Sequence, residues 1–399
     1  MPAFSDGIAP RQGTRECGHA RVVGYAGRVD EVGLAERLIA HDTSDPAGLA
    51  VAMDFVAGWL EGRGADLTHH DLGDRDALIA RAGSGPVRII FHGHIDVVPG
   101  HPQQFQPRIE GDRLIGRGAY DMKAALAAMM IATSDLAADP PDGVRVELVI
   151  VPDEERAQPG ANATEMLVDK GLRADLVVCG EPTDMQVGVQ AKGVMILDVE
   201  VEGRAAHGST PWLGDNAILR ALEVYRRLES LPFTRASTPL FPRPSVNLGR
   251  ISGGDAVNKV PDLCRMDVDV RYLPGQDPEE ILRQAREVGA SSIEVSIARP
   301  PADTDPDHPL VVALVECASR HHASSASVGR DGASDGVSFI EAGVPAVEFG
   351  PLGAGHHGPD EYVDIPSLLA YRRALADFAA TAGALAPVIA GLRDEGAPA

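Results

Sequence analysis

The stretch VRIIFHGHIDVVPG, residues 87–100, decides the fold class. It begins as an apolar, β-branched run typical of a buried strand, and it ends in polar residues that include His94 and Asp96. VRVELVIVPDEE (144–155) and ADLVVCGEPT (174–183) have the same form, an apolar run followed by acidic residues. Since helical patterns separate these runs, we predict a mostly parallel sheet with helices on both faces. Sheets of this kind build their sites from the residues that follow the strands.

A different pattern begins near residue 190. VMILDVEVEG (194–203) and LCRMDVDVRYL (263–273) alternate apolar and polar residues, which is typical of half-exposed strands. With the neighbouring segments they give the order β-α-β-β-α-β of a ferredoxin-like unit. The other segments in that order are helices predicted at 215–230 and 277–288 and strands predicted at 245–251 and 292–298.

We therefore predict an α/β protein of two domains. The main domain has a mixed, mostly parallel sheet flanked by helices, and a small ferredoxin-like α+β domain is inserted into it. The predicted boundaries are an N-terminal extension at 1–27, the first segment of the main domain at 28–189, the inserted domain at 190–300 and the second segment at 301–399. The second segment is predicted to end in one long Ala/Leu helix, 366–392.

Charge and composition exclude several classes of function. Lys plus Arg number 36 against 58 for Asp plus Glu in 399 residues, a net charge of −22. Such a field repels nucleic acid and anionic lipid, so we predict neither as a partner. The four cysteines are far apart and form no CxxC motif, which favours a reducing compartment. No apolar run approaches the ~18 residues of a membrane span, and the N-terminus lacks a signal sequence, so the expected location is the cytoplasm.

Acids and histidines cluster at the ends of apolar elements. The clusters are HGHID (92–96), YDMK (120–123), DEE (153–155), GEPT (180–183) and HHGPDE (356–361). Singly, each has an ordinary structural explanation; Asp121, at the start of an Ala/Leu/Met helix, could be an N-cap. Together, so many carboxylates in one cleft would repel one another without cations. Two histidines with three or more carboxylates suit Zn²⁺ or a similar first-row ion, and also fit two metals that share one carboxylate.

The sequence resembles the M20 metallopeptidases over about residues 28–390. The segments that carry the resemblance are HGHIDVVP, GRGAYDMKAALAA, PDEE, GEPT, GRAAHGSTPWLGDNAI, GASD and HHGPDEYV. The family includes acetylornithine deacetylase, succinyl-diaminopimelate desuccinylase, aminoacylase and glutamate carboxypeptidase. The resemblance implies a zinc-peptidase-like catalytic domain, an inserted lid or dimerisation domain, a homodimer, and two Zn²⁺ ions per subunit, for which Co²⁺ or Mn²⁺ could substitute.

The resemblance also implies a set of metal ligands. One metal is bound by His94 and Glu181 and the other by Glu155, Asp121 bridges both, and His357 is the last ligand. The family motif places the last ligand four residues before a glutamate. His357 satisfies that spacing with Glu361, so we expect His356 to be a neighbour of the site. The family further predicts a cis peptide bond between Asp121 and Met122.

Other residues match catalytic and substrate-binding positions of the family. Glu154 is the expected general base, and Asp96 is expected to orient His94. His207 is the expected donor to the oxyanion, reaching the site of the partner subunit. The expected substrate-binding residues are Asn258, Arg271, Ser334 and Asp335. Ala333 stands where the family commonly has threonine.

We therefore expect a metal-dependent hydrolase that cleaves the amide bond of an N-acyl amino acid, in the manner of a deacetylase or desuccinylase. The nearest alternative is a dipeptidase or carboxypeptidase, which would share every metal ligand. An alternative of another class is a scaffold protein that keeps the fold and binds no metal. Such a protein should have lost at least one ligand or the base, and this sequence has them all.

Overall fold

The structure, a computed structural model, describes residues 30–73, 75–155, 161–332 and 334–396. The predicted extension at 1–27 and Ala333 lie outside these ranges. The helices are α1 (Glu31–Ile39), α2 (Pro46–Glu61), α3 (Lys123–Ala138), α4 (Ala163–Asp169), α5 (Ala217–Glu229), α6 (Pro278–Arg286), α7 (Pro309–His321), α8 (Gly336–Glu341), α9 (Ile365–Ala384) and α10 (Ala386–Gly396).

The strands follow the apolar runs of the sequence. They are β1 (Asp66–Asp71), β2 (Asp76–Gly83), β3 (Val87–His94), β4 (Arg108–Glu110), β5 (Arg113–Ile115), β6 (Val144–Val151), β7 (Leu176–Cys179), β8 (Val187–Ala191), β9 (Gly193–Glu202), β10 (Ser245–Gly253), β11 (Leu263–Tyr272), β12 (Ser292–Arg299), β13 (Ala302–Asp303), β14 (Ser327–Arg330), β15 (Ala346–Glu348), β16 (Gly353–Ala354) and β17 (Tyr362–Asp364). A small antiparallel sheet has the order β16-β17-β5-β4.

The largest sheet is mixed, with parallel strands at its centre. Its order is β1-β2-β6-β3-β7-β15-β8-β13, and β14 pairs with β8. The central strands β6, β3, β7 and β15 run parallel to one another, whereas the pairs β1-β2, β2-β6, β15-β8 and β13-β8 are antiparallel. The central strands are buried along almost their whole length, because both faces of a parallel sheet are covered. The prediction of an α/β protein with a mixed sheet is confirmed.

Helix α3 is the central helix of this layer, and it packs against α1, α9 and β2. It is buried on nearly every side, which explains a sequence of Ala, Leu and Met without a polar face. The helix begins at Lys123 after Met122, and no side chain caps it. Asp121 is therefore not the N-cap that its position allowed, and its carboxylate is free for another role.

Residues of the predicted inserted domain form a second sheet. Its strands are antiparallel in the order β10-β11-β9-β12, and α5 and α6 cover one face. Apolar residues such as Leu197, Val199 and Val268 point into a core separate from that of the main sheet. The chain order is the β-α-β-β-α-β predicted from the alternating pattern. The boundaries at 189/190 and 300/301 stay predictions.

The prediction of one long helix over 366–392 is wrong. The helix is broken between α9 and α10, which meet at 67°. Pro387 explains the break, because it has no N–H to donate to the carbonyl group of Gly383 and its ring crowds that turn. Within the described chain, no single helix has both the length and the apolar character that crossing a membrane requires; α9 and α10 meet that test only as a bent pair.

Candidate metal centre

Adjacent parallel strands bring the acidic clusters to one edge of the main sheet. His94 ends β3, and its register partner Val151 ends the neighbouring β6, so Glu154 and Glu155 follow close by. On the other side of β3, His92 pairs with Cys179 at the end of β7, which leads directly to Glu181. The carboxyl ends of three parallel strands therefore supply these side chains, as expected for a site in an α/β sheet.

Close packing around Met122 brings Asp121 to the same edge. A Cβ atom added to Gly93 would lie 2.6 Å from the terminal methyl of Met122, and one added to Gly180 would lie 2.5 Å from it. The Met122 sulfur also lies 3.4 Å from the backbone nitrogen of His94. Glycine at both strand ends thus allows α3 to begin against the sheet. The Asp121–Met122 peptide bond is cis, as the resemblance predicts.

The two oxygens of Asp121 face different side chains. Oδ1 lies 3.2 Å from Nε2 of His94, which is completely buried. Oδ2 contacts Nε2 of His356 and lies 3.3 Å from Nε2 of His357. His357 Nε2 also lies 2.9 Å from Oε1 of Glu155. Asp121 therefore stands between one histidine from the sheet and a histidine pair from the loop that precedes β17.

The buried carboxylate of Asp96 organises the neighbouring acids. It accepts hydrogen bonds from the backbone N–H groups of Glu154, at 3.1 Å, and Glu155, at 3.0 Å. The ring of His94 is held mainly by the backbone carbonyl of Asp96, 3.0 Å from Nδ1, while the Asp96 carboxylate lies at 3.6 Å. Asp96 thus fixes the turn after β6 as well as the imidazole that the sequence assigned to it.

Buried like charges shift the pKa values of the cluster. Burial, together with the charges of Glu154 and Asp121, raises the pKa of Glu181 well above its usual value. Burial also raises the pKa of Glu154. Asp121 differs because hydrogen bonds from the histidines outweigh its burial and hold its pKa well below the usual range. The hydrogen bond to Asp121 raises the pKa of His357 to about 9.

These residues fit divalent metal ions. Oε1 of Glu181 is buried and has no hydrogen-bond partner among the described residues, so a cation would satisfy it. In each of three groups of residues, the possible ligand atoms lie within 4.8 Å of one another. The groups are His94, Asp121 and Glu181; His94, Glu154 and Glu155; and Asp121, His356 and His357. Mixed carboxylate and imidazole donors suit zinc and other first-row ions.

Both His356 and His357 approach Asp121, whereas the spacing rule of the sequence selects His357 alone. His357 alone also reaches Glu155, which favours it as the ligand on that side. Its backbone is left-handed, with φ of 58°, and its side chain is 46% exposed. The choice of His357 over His356 stays a prediction.

The sequence did not point to a buried ion pair beneath the cluster. Arg117 Nη1 donates to Glu361 Oε2 at 2.6 Å, and both side chains are almost completely buried. In the sequence, Glu361 only sets the spacing that selects His357. One signal could have identified its role: Glu361 is an acid within the HHGPDE motif, yet it is not an expected metal ligand.

The predicted residues of the second sheet do not contact this cluster within the described structure. His207 is exposed, and its Nδ1 lies 2.7 Å from Oγ of Ser209. Asn258 lies beside it, because Gly208 N–H donates to the Asn258 carbonyl at 2.6 Å. Arg271 is bound in a forked pair to Asp269, at 2.8 Å and 3.2 Å.

The two predicted residues before α8 have different environments. Ser334 is partly exposed, and its Oγ lies 3.3 Å from the Gly336 nitrogen. Asp335 is buried, accepts hydrogen bonds from Asn162 and Thr164, and has a pKa that burial raises to about 6. Its oxygens are therefore engaged by the protein, and its assignment to substrate stays a prediction.

At the strand ends, two groups of possible metal ligands have Asp121 in common, an arrangement that metal-dependent hydrolases use. The chain belongs to peptidase family M20/M25/M40, which its sequence matches over residues 90–381. The succinyl-diaminopimelate desuccinylase of Thioalkalivibrio sulfidiphilus is 31% identical over 86% of this chain and 96% of that protein. The acetylornithine deacetylase of Proteus mirabilis is 29% identical over 78% of this chain and 85% of that protein.

Solved structures share the fold. The M20 family metallo-carboxypeptidase Sso-CP2 from Sulfolobus solfataricus superposes with a TM-score of 0.74 at 19% identity, over 89% of this chain and 100% of that one. A tripeptidase from Staphylococcus aureus gives a TM-score of 0.73 at 21% identity, over 90% and 100%. The family resemblance seen in the sequence is confirmed.

Without metal, the protein should lose stability as the pH rises from about 5 to about 9. The pKa values of Glu154, Glu181 and His357 are raised in the folded state. Each such group contributes stability below its unfolded pKa, and that stability is lost as the pH rises through its folded pKa. Burial lowers the pKa of His92 to about 3 and that of Lys123 to about 7, which opposes this trend within the range, but the groups with raised pKa values outnumber these two; the lowered pKa of Asp121 acts only at far lower pH.

Thermal unfolding by circular dichroism, with and without chelator, measures this dependence. The Tm of the chelated protein should fall across the range, and added Zn²⁺ should flatten or reverse the slope because metal displaces protons. A chelated protein whose Tm rises from acidic to alkaline pH contradicts the described electrostatics.

Proposed function

We propose that the protein is a dinuclear, zinc-dependent amidohydrolase that cleaves the amide bond of an N-acyl amino acid. The observation that carries this proposal is the position of Asp121, whose two oxygens face separate sets of ligand side chains. The relatives named succinyl-diaminopimelate desuccinylase and acetylornithine deacetylase support the substrate class. A carboxypeptidase or dipeptidase that shares the same ligands is the alternative to be tested.

The chain's own residues divide into two ligand sets. His94 and Glu181 form one set with Asp121, and Glu155 and His357 form the other with the same aspartate. Bound Zn²⁺ ions would supply Lewis-acid chemistry, acidifying water and stabilising negative charge on the amide oxygen. Hydrogen bonds from the histidines hold the pKa of Asp121 low, so its carboxylate is ionised and both oxygens can be shared between the two sets.

Glu154 is the general base in this proposal. It belongs with His94 and Glu155 to one group of close ligand atoms, and it is next to a ligand without being needed as one. Burial raises the pKa of Glu154, which favours uptake of a proton. Its carboxylate takes the proton from the attacking water and delivers it to the nitrogen of the leaving amine.

His207 is the proposed donor to the oxyanion, and it acts in a homodimer. Its side chain is exposed on the second sheet and is separate from the metal ligands of its own chain in the described structure. A partner subunit, docked through this inserted domain, would therefore present His207 to the site. Domain closure over the substrate would exclude water and complete the catalytic group.

The carboxylate of the substrate is proposed to bind on the same side. Asn258 lies beside His207 and exposes its side chain. Arg271 could offer its guanidinium group to a carboxylate, provided that the substrate shares or displaces Asp269. Ser334 and Asp335 complete the proposed substrate side. This arrangement suits an amino acid with a free carboxylate.

Metal analysis combined with a substrate panel tests the proposal. Purified protein should contain about two zinc ions per chain, as a shared-carboxylate site requires. It should hydrolyse N-acetyl or N-succinyl amino acids in preference to dipeptides, and chelation should abolish the activity. Faster hydrolysis of dipeptides would favour the peptidase alternative. No bound metal, with no hydrolysis after Zn²⁺ or Co²⁺ is added, would favour the scaffold alternative.

Glu154→Gln should lower kcat by about 10²–10⁴-fold, because a lost general base costs that much. The metal content and Tm should stay near those of the wild type. Glu279→Gln, at an exposed position of α6, is the matched control and should keep full activity. Wild-type turnover by the Glu154 variant would remove this residue from the role of base.

His207→Ala should lower kcat by about 10²–10³-fold, because a donor to the oxyanion is lost. Metal content should not change, since His207 is not among the ligand groups. His69→Ala removes an exposed histidine from the edge strand β1 and should have no effect on either quantity. A loss of bound metal in the His207 variant would contradict the assignment of His207 as donor to the oxyanion of the substrate.

A further inference from the structure

The carboxylate of Glu361 is buried but does not face the ligand cluster. Its Oε1 accepts hydrogen bonds from two consecutive backbone N–H groups, those of Tyr120 at 3.0 Å and Asp121 at 3.1 Å. Only 1% of its side chain is exposed. Glu361 therefore fixes the peptide that carries the shared aspartate, and leaves both oxygens of Asp121 free to face the histidines.

The other oxygen of Glu361 binds Arg117, which reaches a second partner. Arg117 Nη1 donates to Glu361 Oε2 at 2.6 Å, and Nη2 donates to the backbone carbonyl of His357 at 3.0 Å. One guanidinium group thus bonds the motif glutamate and the loop histidine together. The fork of an arginine fits this geometry, whereas a single ammonium group would not.

The backbone of His357 needs such support, because the contacts of its side chain with Asp121 and Glu155 do not hold the loop itself. His357 has left-handed φ, which is unfavourable for a residue with a Cβ atom, and nearly half of its side chain is exposed. A second bond supports the same loop, since Gln104 Nε2 donates to the Gly358 carbonyl at 2.9 Å. Arg117 is the residue that bonds the backbone of the histidine itself.

We propose that Arg117 and Glu361 are positioning residues that set the distance between Asp121 and His357. The pair joins the loop before α3 to the loop before β17, so that one buried contact orients ligands from two distant parts of the chain. This inference rests on the proposed function, because it assigns the pair to the metal-binding set formed by Asp121, Glu155 and His357. The set formed by His94 and Glu181 depends on the sheet and should be less affected.

Two conservative variants test the pair. Arg117→Lys keeps the charge but loses the fork, and Glu361→Gln keeps the size but loses the negative charge and one of the two acceptor oxygens. Each should weaken the binding of one of two Co²⁺ ions by about 10–100-fold, the usual effect of removing a residue that orients a ligand. The other ion should lose less affinity, because it shares Asp121 but its remaining ligands, His94 and Glu181, are held by the sheet. Calorimetric titration of chelator-treated protein gives the affinities, and the visible spectrum of Co²⁺ reports its coordination.

Arg372→Lys is the matched control, because Arg372 forms a similar pair with the buried Glu31 between α9 and α1. It should bind both ions normally. Equal binding of both ions by the wild type and by the two test variants would overturn the positioning role alone. Unfolding of both variants, measured by circular dichroism, would also overturn the positioning role, because it would show that the pair serves to stabilise the fold. A wild-type protein that binds no metal would instead overturn the proposed function.

Discussion

Negative charge held away from water is the constraint on which the rest of the structure depends. Asp121 and Glu181 are buried, Glu154 and Glu155 are partly buried, and all four gather at the end of the same central strands. Carboxylates in such a position repel one another and lose hydration. The protein sets histidines against them, and hydrogen bonds to the acids raise the pKa values of His94 and His357, so that protonated imidazole balances part of the negative charge. Divalent cations would supply that charge instead by displacing the protons and binding neutral imidazole.

The same device holds the acids in place on both sides of the cluster. Asp96 binds the consecutive N–H groups of Glu154 and Glu155, and Glu361 does so for Asp121 and the residue before it. Each of these buried carboxylates binds the backbone of the acids that it positions and leaves their side chains unbound by it. Hydrogen bonds to an ionised acceptor are stronger than neutral ones, so they resist the repulsion between the acids. The side chains that they position stay free for chemistry.

Local patterns predicted the strands and the clusters, because an apolar run that ends in acids is a signal within a few residues. The ferredoxin-like order followed from alternation in the same way. Contacts between residues far apart in the sequence were not predictable. Arg117 and Glu361 are 244 residues apart, and no local pattern around either residue indicates the other as its partner. The spacing rule favoured His357 but could not show that His356 also approaches Asp121. Pro387 indicated the break after α9, but the Ala/Leu composition of the segment favoured one continuous helix.

The packing of Met122 between two glycines has an evolutionary consequence. Its terminal methyl occupies the space that a side chain at Gly93 or Gly180 would need, and all three residues lie against the sheet edge that carries the site. A side chain at either glycine would have to displace this methyl, and at Gly180 also the end of Met129, which a flexible methionine can allow more easily at one site than at two. The three positions are thus coupled: the effect of a mutation at one glycine depends on the residues at the other glycine and at position 122.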